Sequence, residues 1–208
     1  MGWWSERVVP RAVHRSLDNP VVEGHRERVC AGLSGEVLEI GFGSGLNLPH
    51  LPPQVRTLVA VEPSEVAWGL AREAIAASPV SVQRGGLDAE ALGLPDTSVD
   101  GVLVTFSLCT IPDPARALRE VVRVLRPGGA LHFLEHGAAP QQRVLSWQHR
   151  LEPLQRRIAG GCRLTRSAPS LVAGAGLRLV EVESWYLPGP KVSHPWSYLS
   201  LGRAERLP

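Results

Sequence analysis

The sequence predicts an α/β protein built on a doubly wound, mostly parallel seven-stranded sheet that ends in an antiparallel strand pair. Three observations predict it. Short, almost uniformly apolar runs alternate with amphipathic stretches, the pattern of strands buried on both faces and of helices that cover them. The first apolar run, ending at Ile40, opens into a turn with glycines at 41, 43 and 45. Near the other end, two strand-like runs are separated only by Leu187-Pro188-Gly189-Pro190, too short for a crossover, so they pair antiparallel at one edge.

Residues 1–34 form an N-terminal helical segment: Val22, Arg26, Val29 and Leu33 share a helical spacing, predicting a helix over about 21–33 that can lie over a ligand as a lid. Residues 35–208 form the main unit, and the whole is a single domain. Val37–Ile40 is the first strand and residues 57–61 the second, ending at Glu62. Pro63-Ser64 then starts a helix with Val66, Leu70, Ala71, Ala74 and Ile75 on one face. Residues 80–82 make a short third strand and residues 99–106 a fourth, central one. Asp113-Pro114 caps a helix striped by Leu118, Val121, Val122 and Leu125, which Pro127-Gly128-Gly129 stops. Residues 130–134 are the fifth strand, ending at Glu135-His136. A helix over 141–159 carries Val144, Trp147, Leu151, Leu154 and Ile158 on one side, with a kink expected at Pro153. Residues 177–185 and 196–201 are the closing strands.

With 208 residues, one core can bury roughly 70% of the unfolded chain's surface. A net charge of +2 gives no ground for a nucleic-acid partner or an anionic membrane. The apolar runs stay under ten residues and no signal-peptide pattern opens the chain, so neither bilayer insertion nor secretion is expected. Cys30, Cys109 and Cys162 are odd in number and widely spaced, which reads as free thiols in a reducing cytoplasm and not as a metal site.

The glycine turn reads as a cofactor cradle. Glycines there permit positive φ and let a ligand approach the backbone, and free N–H groups face the crevice above the strand. Glu39 puts a carboxylate beside that crevice. The glycines fall as G-x-G-x-G, not in the G-x-G-x-x-G of dinucleotide binders. Glu62 ends the second strand, where a carboxylate can accept from both hydroxyls of a ribose. Asp88-Ala89-Glu90 supplies a third station: an Asp can accept from an adenine amino group while the next backbone N–H meets a ring nitrogen.

These three stations, with Arg126-Pro127-Gly128-Gly129 before the fifth strand, resemble the class I methyltransferases that use S-adenosylmethionine, over residues 36–203. The resemblance implies S-adenosylmethionine as cofactor, held by Glu39, Gly41, Phe42, Gly43, Gly45, Asn47, then by Glu62, Pro63, Ser64, and by Asp88, Ala89, Glu90 and Thr105. A narrower resemblance rests on Gly-Ser-Gly-Leu-Asn-Leu-Pro at 43–49, Thr-Phe-Ser-Leu-Cys-Thr-Ile at 105–111, Phe-Leu-Glu-His-Gly at 133–137 and Gly-Gly-Cys-Arg-Leu-Thr-Arg at 160–166. These look like small bacterial methyltransferases and the animal methyltransferase-like seven group, whose members are membrane-anchored and associated with methylation of small alkyl thiols. No apolar N-terminal anchor of that kind is visible here.

The resemblance implies methyl transfer to a small, fairly apolar acceptor, with a thiol favoured. A thiol is already a few per cent ionised at neutral pH and needs little base; an alcohol or amine needs one. His136, after the fifth strand, is the candidate base; His132, inside that strand, reads as structural. Phe106, Ser107 and Cys109, just past the fourth strand, and Trp147, Cys162 and Arg163 are the candidates for the acceptor side. A small-molecule O- or N-methyltransferase, including one acting on a phospholipid headgroup, a hydride-transfer enzyme and a non-catalytic cofactor binder remain as alternatives. The oligomeric state is not legible.

Overall fold

The computed structural model describes residues 3–207. Seven strands, β1 (Gly35–Ile40), β2 (Val55–Val61), β3 (Ser81–Gly86), β4 (Val99–Thr105), β5 (Leu125–His136), β6 (Arg178–Tyr186) and β7 (Tyr198–Glu205), form one sheet in the order β3-β2-β1-β4-β5-β7-β6. The pairs among β1 to β5 are parallel, and β7 runs antiparallel to both β5 and β6. The strand order reverses between β1 and β4, and in open α/β sheets the crevice at such a reversal is where ligands bind.

Helices α1 (Val9–Leu17) and α2 (Pro20–Cys30) precede the sheet, with one wide helical turn, Trp4–Val8, running into α1. Asn19 caps α2 by accepting from the Val21 and Val22 N–H groups, and Pro20 fits its first turn. Helices α3 (Glu65–Leu70) and α4 (Arg72–Ala77) follow β2, α5 (Pro114–Val124) follows β4, and α6 (Gln142–Ile158) and α7 (Ala168–Gly174) lie between β5 and β6. A last turn, α8 (His194–Ser197), leads into β7. Ser64, Asp113 and Ser167 cap α3, α5 and α7 with their side chains.

Alternation along the strands sorts the core into two layers. Leu38, Ile40, Val102, Val104, Leu131 and Phe133 face one side with α5 and α7. Val37, Leu58, Ala60, Leu103 and Leu134 face the other, with Val29 of α2 and Ala71. The same period places Glu39, Glu62, Thr105 and His136 at the strand ends on the α2 side.

Several elements differ from the sequence-based expectation. β3 extends through Gly85-Gly86 to residue 86, because a bulge against β2 accommodates them. Arg126-Pro127-Gly128-Gly129 belongs to β5: α5 ends at Val124, and the strand starts at Leu125 with a register shift opposite Val99 to Gly101. A side chain at Gly129 would meet the Asp100 carbonyl at 2.8 Å, so only glycine allows this approach. Phe106 lies outside β4 with φ +54. The closing strand starts at Tyr198, after a helical turn over the residues expected to begin it. α1 and α7 were not legible. α6 continues through Pro153, but its expected apolar side is not buried: Trp147, Leu154 and Ile158 are exposed, and its one fully buried residue is Gln148. The Gln148 amide bonds the backbone of Gly137, Ala139 and Pro195, which ties α6 to the end of β5.

The N-terminal segment crosses the carboxyl edge of the sheet. The Trp4 indole donates to the Ile158 carbonyl at 2.9 Å, His14 meets Ser44 of the glycine turn at 2.8 Å, and Arg26 is buried against Asn47. Among the described residues no helix is long and apolar enough to cross a membrane.

Candidate active site

The glycine turn leaves β1 with left-handed backbone at Gly41, Gly43 and Gly45, φ +73, +60 and +76. Their surroundings differ. A Cβ on Gly41 would sit 1.8 Å from the Ser107 hydroxyl, so this glycine lets the loop after β4 close on the turn. One on Gly45 would press on Leu48, Phe42 and Ala71. At Gly43 the nearest atom is the Gly41 carbonyl at 3.8 Å, which leaves the space above it open to a ligand. Phe42 is buried with its ring 5.3 Å from that of Trp68, so it offers the crevice backbone alone.

Glu62 fixes the turn to β2. Its two oxygens accept from the Gly43 N–H at 2.8 Å and the Ser64 N–H at 2.7 Å, and an ionised carboxylate retains further lone pairs for hydroxyl donors. Burial raises its pKa above the ordinary carboxylate range, partly offset by those two N–H groups. Pro63 and Ser64 carry the chain into α3, and the Ser64 hydroxyl accepts from the Ala67 N–H. Arg84 donates to the Glu62 carbonyl, pairs with Glu65 at 2.8 Å and lies over the Trp68 ring.

Beneath the turn is a buried polar network. Asn47 donates to Glu39 at 2.7 Å and to the Thr105 hydroxyl at 3.0 Å, and accepts from Arg26 at 2.6 Å. Glu39 is 1% exposed, and its second oxygen has no hydrogen-bond partner among the described residues. Burial pushes its pKa up to about 8. An open glycine turn beside an unpaired, buried carboxylate oxygen fits a cofactor that carries cationic ammonium and sulfonium groups.

Asp88 is exposed and accepts from the Glu90 N–H, which shapes a turn around buried Ala89. The Glu90 carboxylate is engaged with α5, accepting from the Asp113 N–H at 2.9 Å, which leaves the Glu90 backbone on the turn.

The ends of β4 and β5 form the other wall. Phe106 turns the chain through left-handed backbone beneath the Arg26 guanidinium, 5.7 Å from its ring. Glu135 accepts from the Ser107 and Leu108 N–H groups at 2.6 and 3.0 Å, and burial raises its pKa to about 7. His136 Nε2 lies 3.1 Å from the Cys162 sulfur. Burial disfavours the imidazolium, but contact with Cys162 and the Glu135 carboxylate outweigh it and hold the His136 pKa above its ordinary value. The free Cys109 thiol donates to the Phe106 carbonyl at 3.7 Å, and its contact with the Cys162 sulfur together with burial raises its pKa well above the usual range, whereas Cys162 is drawn down by that contact and by His136. The cysteines that sequence spacing kept apart therefore meet: one atom each of Cys109, His136 and Cys162 lies within 4.8 Å of the others. Arg163 joins through its backbone, donating to the Cys109 carbonyl at 3.0 Å. Trp147 is not brought to this group. It is half exposed on α6 with Arg150 over its ring, about 12 Å along the helix from Gln155, which does reach Cys162. His132 is buried and bonded to the Val29 carbonyl, as a structural residue.

Arg26, Arg84 and Glu135 were missed. A signal for Glu135 was present, since it ends β5 as Glu39 and Glu62 end β1 and β2.

Residues 38–133 match the family model described as a methyltransferase domain. The chain is 34% identical over 177 residues to thiol S-methyltransferase TMT1B of Rattus norvegicus, covering 82% of this chain and 69% of that one. It is 34% identical over 124 residues to a phosphatidylethanolamine N-methyltransferase of Cereibacter sphaeroides, 57% and 60% of the two chains. The crystal structure of a SAM-dependent methyltransferase from Aquifex aeolicus superposes with a TM-score of 0.64 at 20% identity, over 93% of this chain and 97% of that one. With this sheet order and this level of similarity, the chain belongs to the class I S-adenosylmethionine-dependent methyltransferases.

Proposed function

We propose that this methyltransferase acts on a small, fairly apolar thiol. The observation that carries the reading is the similarity to thiol S-methyltransferases over most of the chain, and the chemistry at the ends of β4 and β5 supports it. When bound, S-adenosylmethionine supplies an activated methyl whose sulfonium sulfur leaves as a neutral thioether when a nucleophile takes the methyl. The protein's work is then to bind, orient and exclude water. The Gly41–Gly45 turn and Asn47 hold the approach to β1, Glu62 to Ser64 offer acceptors for a ribose, and Asp88, Ala89 and the Glu90 backbone form the adenine side. Thr105 fixes Asn47 from β4. Phe106, Ser107, Cys109, Cys162 and Arg163 bound the acceptor side, and residues 3–34 act as a lid that excludes water; residues 1 and 2 of the expected 1–34 segment lie outside the described residues. Holding reacting groups near contact is worth up to about 7–11 kcal/mol of barrier, which suits an acceptor that ionises by itself.

A second reading is kept by the phosphatidylethanolamine N-methyltransferase relative. An oxygen or nitrogen acceptor must lose a proton, and His136 is the base in that case, with its imidazole oriented by Cys162.

The test is formation of S-adenosylhomocysteine with a thiol, an alcohol and an amine of equal carbon skeleton. Turnover confined to the thiol is expected. Turnover confined to the alcohol or amine, abolished by His136→Asn, would overturn the thiol reading in favour of the second.

A further inference from the structure

Three parts of the chain that are far apart in sequence deliver soft donor atoms to one point. Cys109 comes from the loop after β4, His136 from the last residue of β5, and Cys162 from the loop after α6. Each is held from behind. The Cys109 carbonyl accepts from the Arg163 N–H, and the Arg166 guanidinium grips the Leu108 and Ile111 carbonyls on either side at 2.6 Å. His136 is paired with Leu199 of β7. Two left-handed glycines, Gly160 and Gly161, turn the chain back at the end of α6, and the Cys162 N–H then bonds the Ala159 carbonyl. A buried thiol pair beside an imidazole is more than packing requires.

The spacing matches a metal site. Tetrahedral zinc with bonds of about 2.3 Å to sulfur and about 2.05 Å to nitrogen sets ligand atoms roughly 3.6–3.8 Å apart. The three atoms here lie within 4.8 Å of one another, and the His136–Cys162 separation of 3.1 Å opens to that value by a small rotation of either side chain. The Gln155 amide, 3.7 Å from the Cys162 sulfur, is a donor of the kind that orients a thiolate ligand from outside the metal's own shell. Both sulfurs are buried and His136 is partly buried, with its Nδ1 buried and without a hydrogen-bond partner among the described residues, so the group is largely shielded from bulk water. Three protein ligands, not four, is the arrangement that leaves one position for water or a substrate.

We propose that Cys109, His136 and Cys162 bind one zinc ion, and that the fourth position takes the sulfur of the acceptor thiol. The first half stands on the cluster alone; the second rests on a thiol being the acceptor. On binding, the thiol displaces a water from that position and releases its proton to solvent, leaving a metal-held thiolate at the ends of β4 and β5. Cys109 follows Ser107 by two residues, and Ser107 closes over Gly41, so the captured sulfur sits on the side of the crevice where the cofactor turn meets β4.

The reduced full-length protein is stripped of metal and titrated with cobalt(II), then with zinc(II). The expected result is one ion per chain, a thiolate-to-cobalt charge-transfer band, and displacement of cobalt by zinc. Cys162→Ser should weaken or lose the band, as should His136→Asn, which removes a ligand without touching a sulfur. Adding an alkyl thiol should shift the cobalt spectrum, while the alcohol of the same skeleton should not. No stoichiometric binding by the wild-type protein, or a band unchanged in both variants, would overturn the site. Cobalt binding with a spectrum indifferent to the thiol would overturn the open position. Thiol methylation by a protein that binds no metal refutes this site and leaves the proposed function standing; stoichiometric metal without thiol methylation does the reverse.

Discussion

At the scale of single residues, the cradle makes sharp demands. Gly43 combines φ +60 with open space, so Gly43→Val adds backbone strain of about 1–2 kcal/mol and fills the cofactor's approach. A rise in the S-adenosylmethionine Kd of at least about tenfold is expected by calorimetry, and an unchanged Kd would contradict the placement. Glu39 makes a different prediction. In the free protein it is protonated below about pH 8, and a bound cation favours its charged form. Affinity for S-adenosylmethionine should therefore rise between pH 6 and 8, with proton release visible as a dependence of binding heat on buffer. Glu39→Gln should bind more weakly and without that slope; an unaltered slope would assign the proton elsewhere.

At the scale of elements, α2 shows how a helix meant for covering the sheet becomes part of the site. Its buried face runs through Val22, Arg26 and Val29, and the charged residue in that stripe reaches Asn47 and Thr105. Arg26→Leu leaves the Asn47 oxygen without its donor, a loss of about 1–3 kcal/mol in urea unfolding, and should also weaken cofactor binding through Asn47. Full stability with normal binding would deny the network its role. α1 and the turn before it link α6 to the glycine turn through Trp4 and His14. Trp4→Ala combined with His14→Ala should quicken cofactor release in stopped flow while leaving the melting temperature nearly unchanged. Equal release rates would remove the lid. The helical spacing around Arg26 was legible, but its destination was not: a periodic stripe states which face is buried, not which polar atoms wait there. α1 was hidden by Pro10, which the first turn of a helix tolerates. α6 misled because its apolar residues, Trp147 among them, stay exposed while a glutamine supplies the buried contact.

For the whole molecule, the parallel sheet, its antiparallel edge and the glycine turn after β1 followed from apolar runs and strand-end residues, because buried strands and glycine turns leave compositional marks. The Cys109–His136–Cys162 cluster left none, since its members converge only when β4, β5 and the end of α6 are brought side by side. The buried carboxylates also couple the fold to pH. Burial raises Glu39 to about 8 and Glu135 to about 7, from an ordinary 4.5, so between those values the folded chain holds more protons than the unfolded one. Stability from these groups is full below about pH 4.5 and is lost as pH rises toward 8, by up to about 1.4 kcal/mol per pH unit for each titrating group. The stability of the cofactor-free wild-type protein relative to Glu39→Gln should fall from pH 5 to 8, a comparison in which the opposing contribution of the lowered Cys162 thiol cancels; a difference that does not move with pH would contradict the burial of Glu39.

The most direct measurement is a single turnover with methyl-labelled S-adenosylmethionine and a short mercapto-alcohol, whose thiol and hydroxyl compete within one molecule. The account predicts the label entirely in the S-methyl product. Label on the hydroxyl oxygen, or on Cys109 or Cys162 of the enzyme itself, would contradict it.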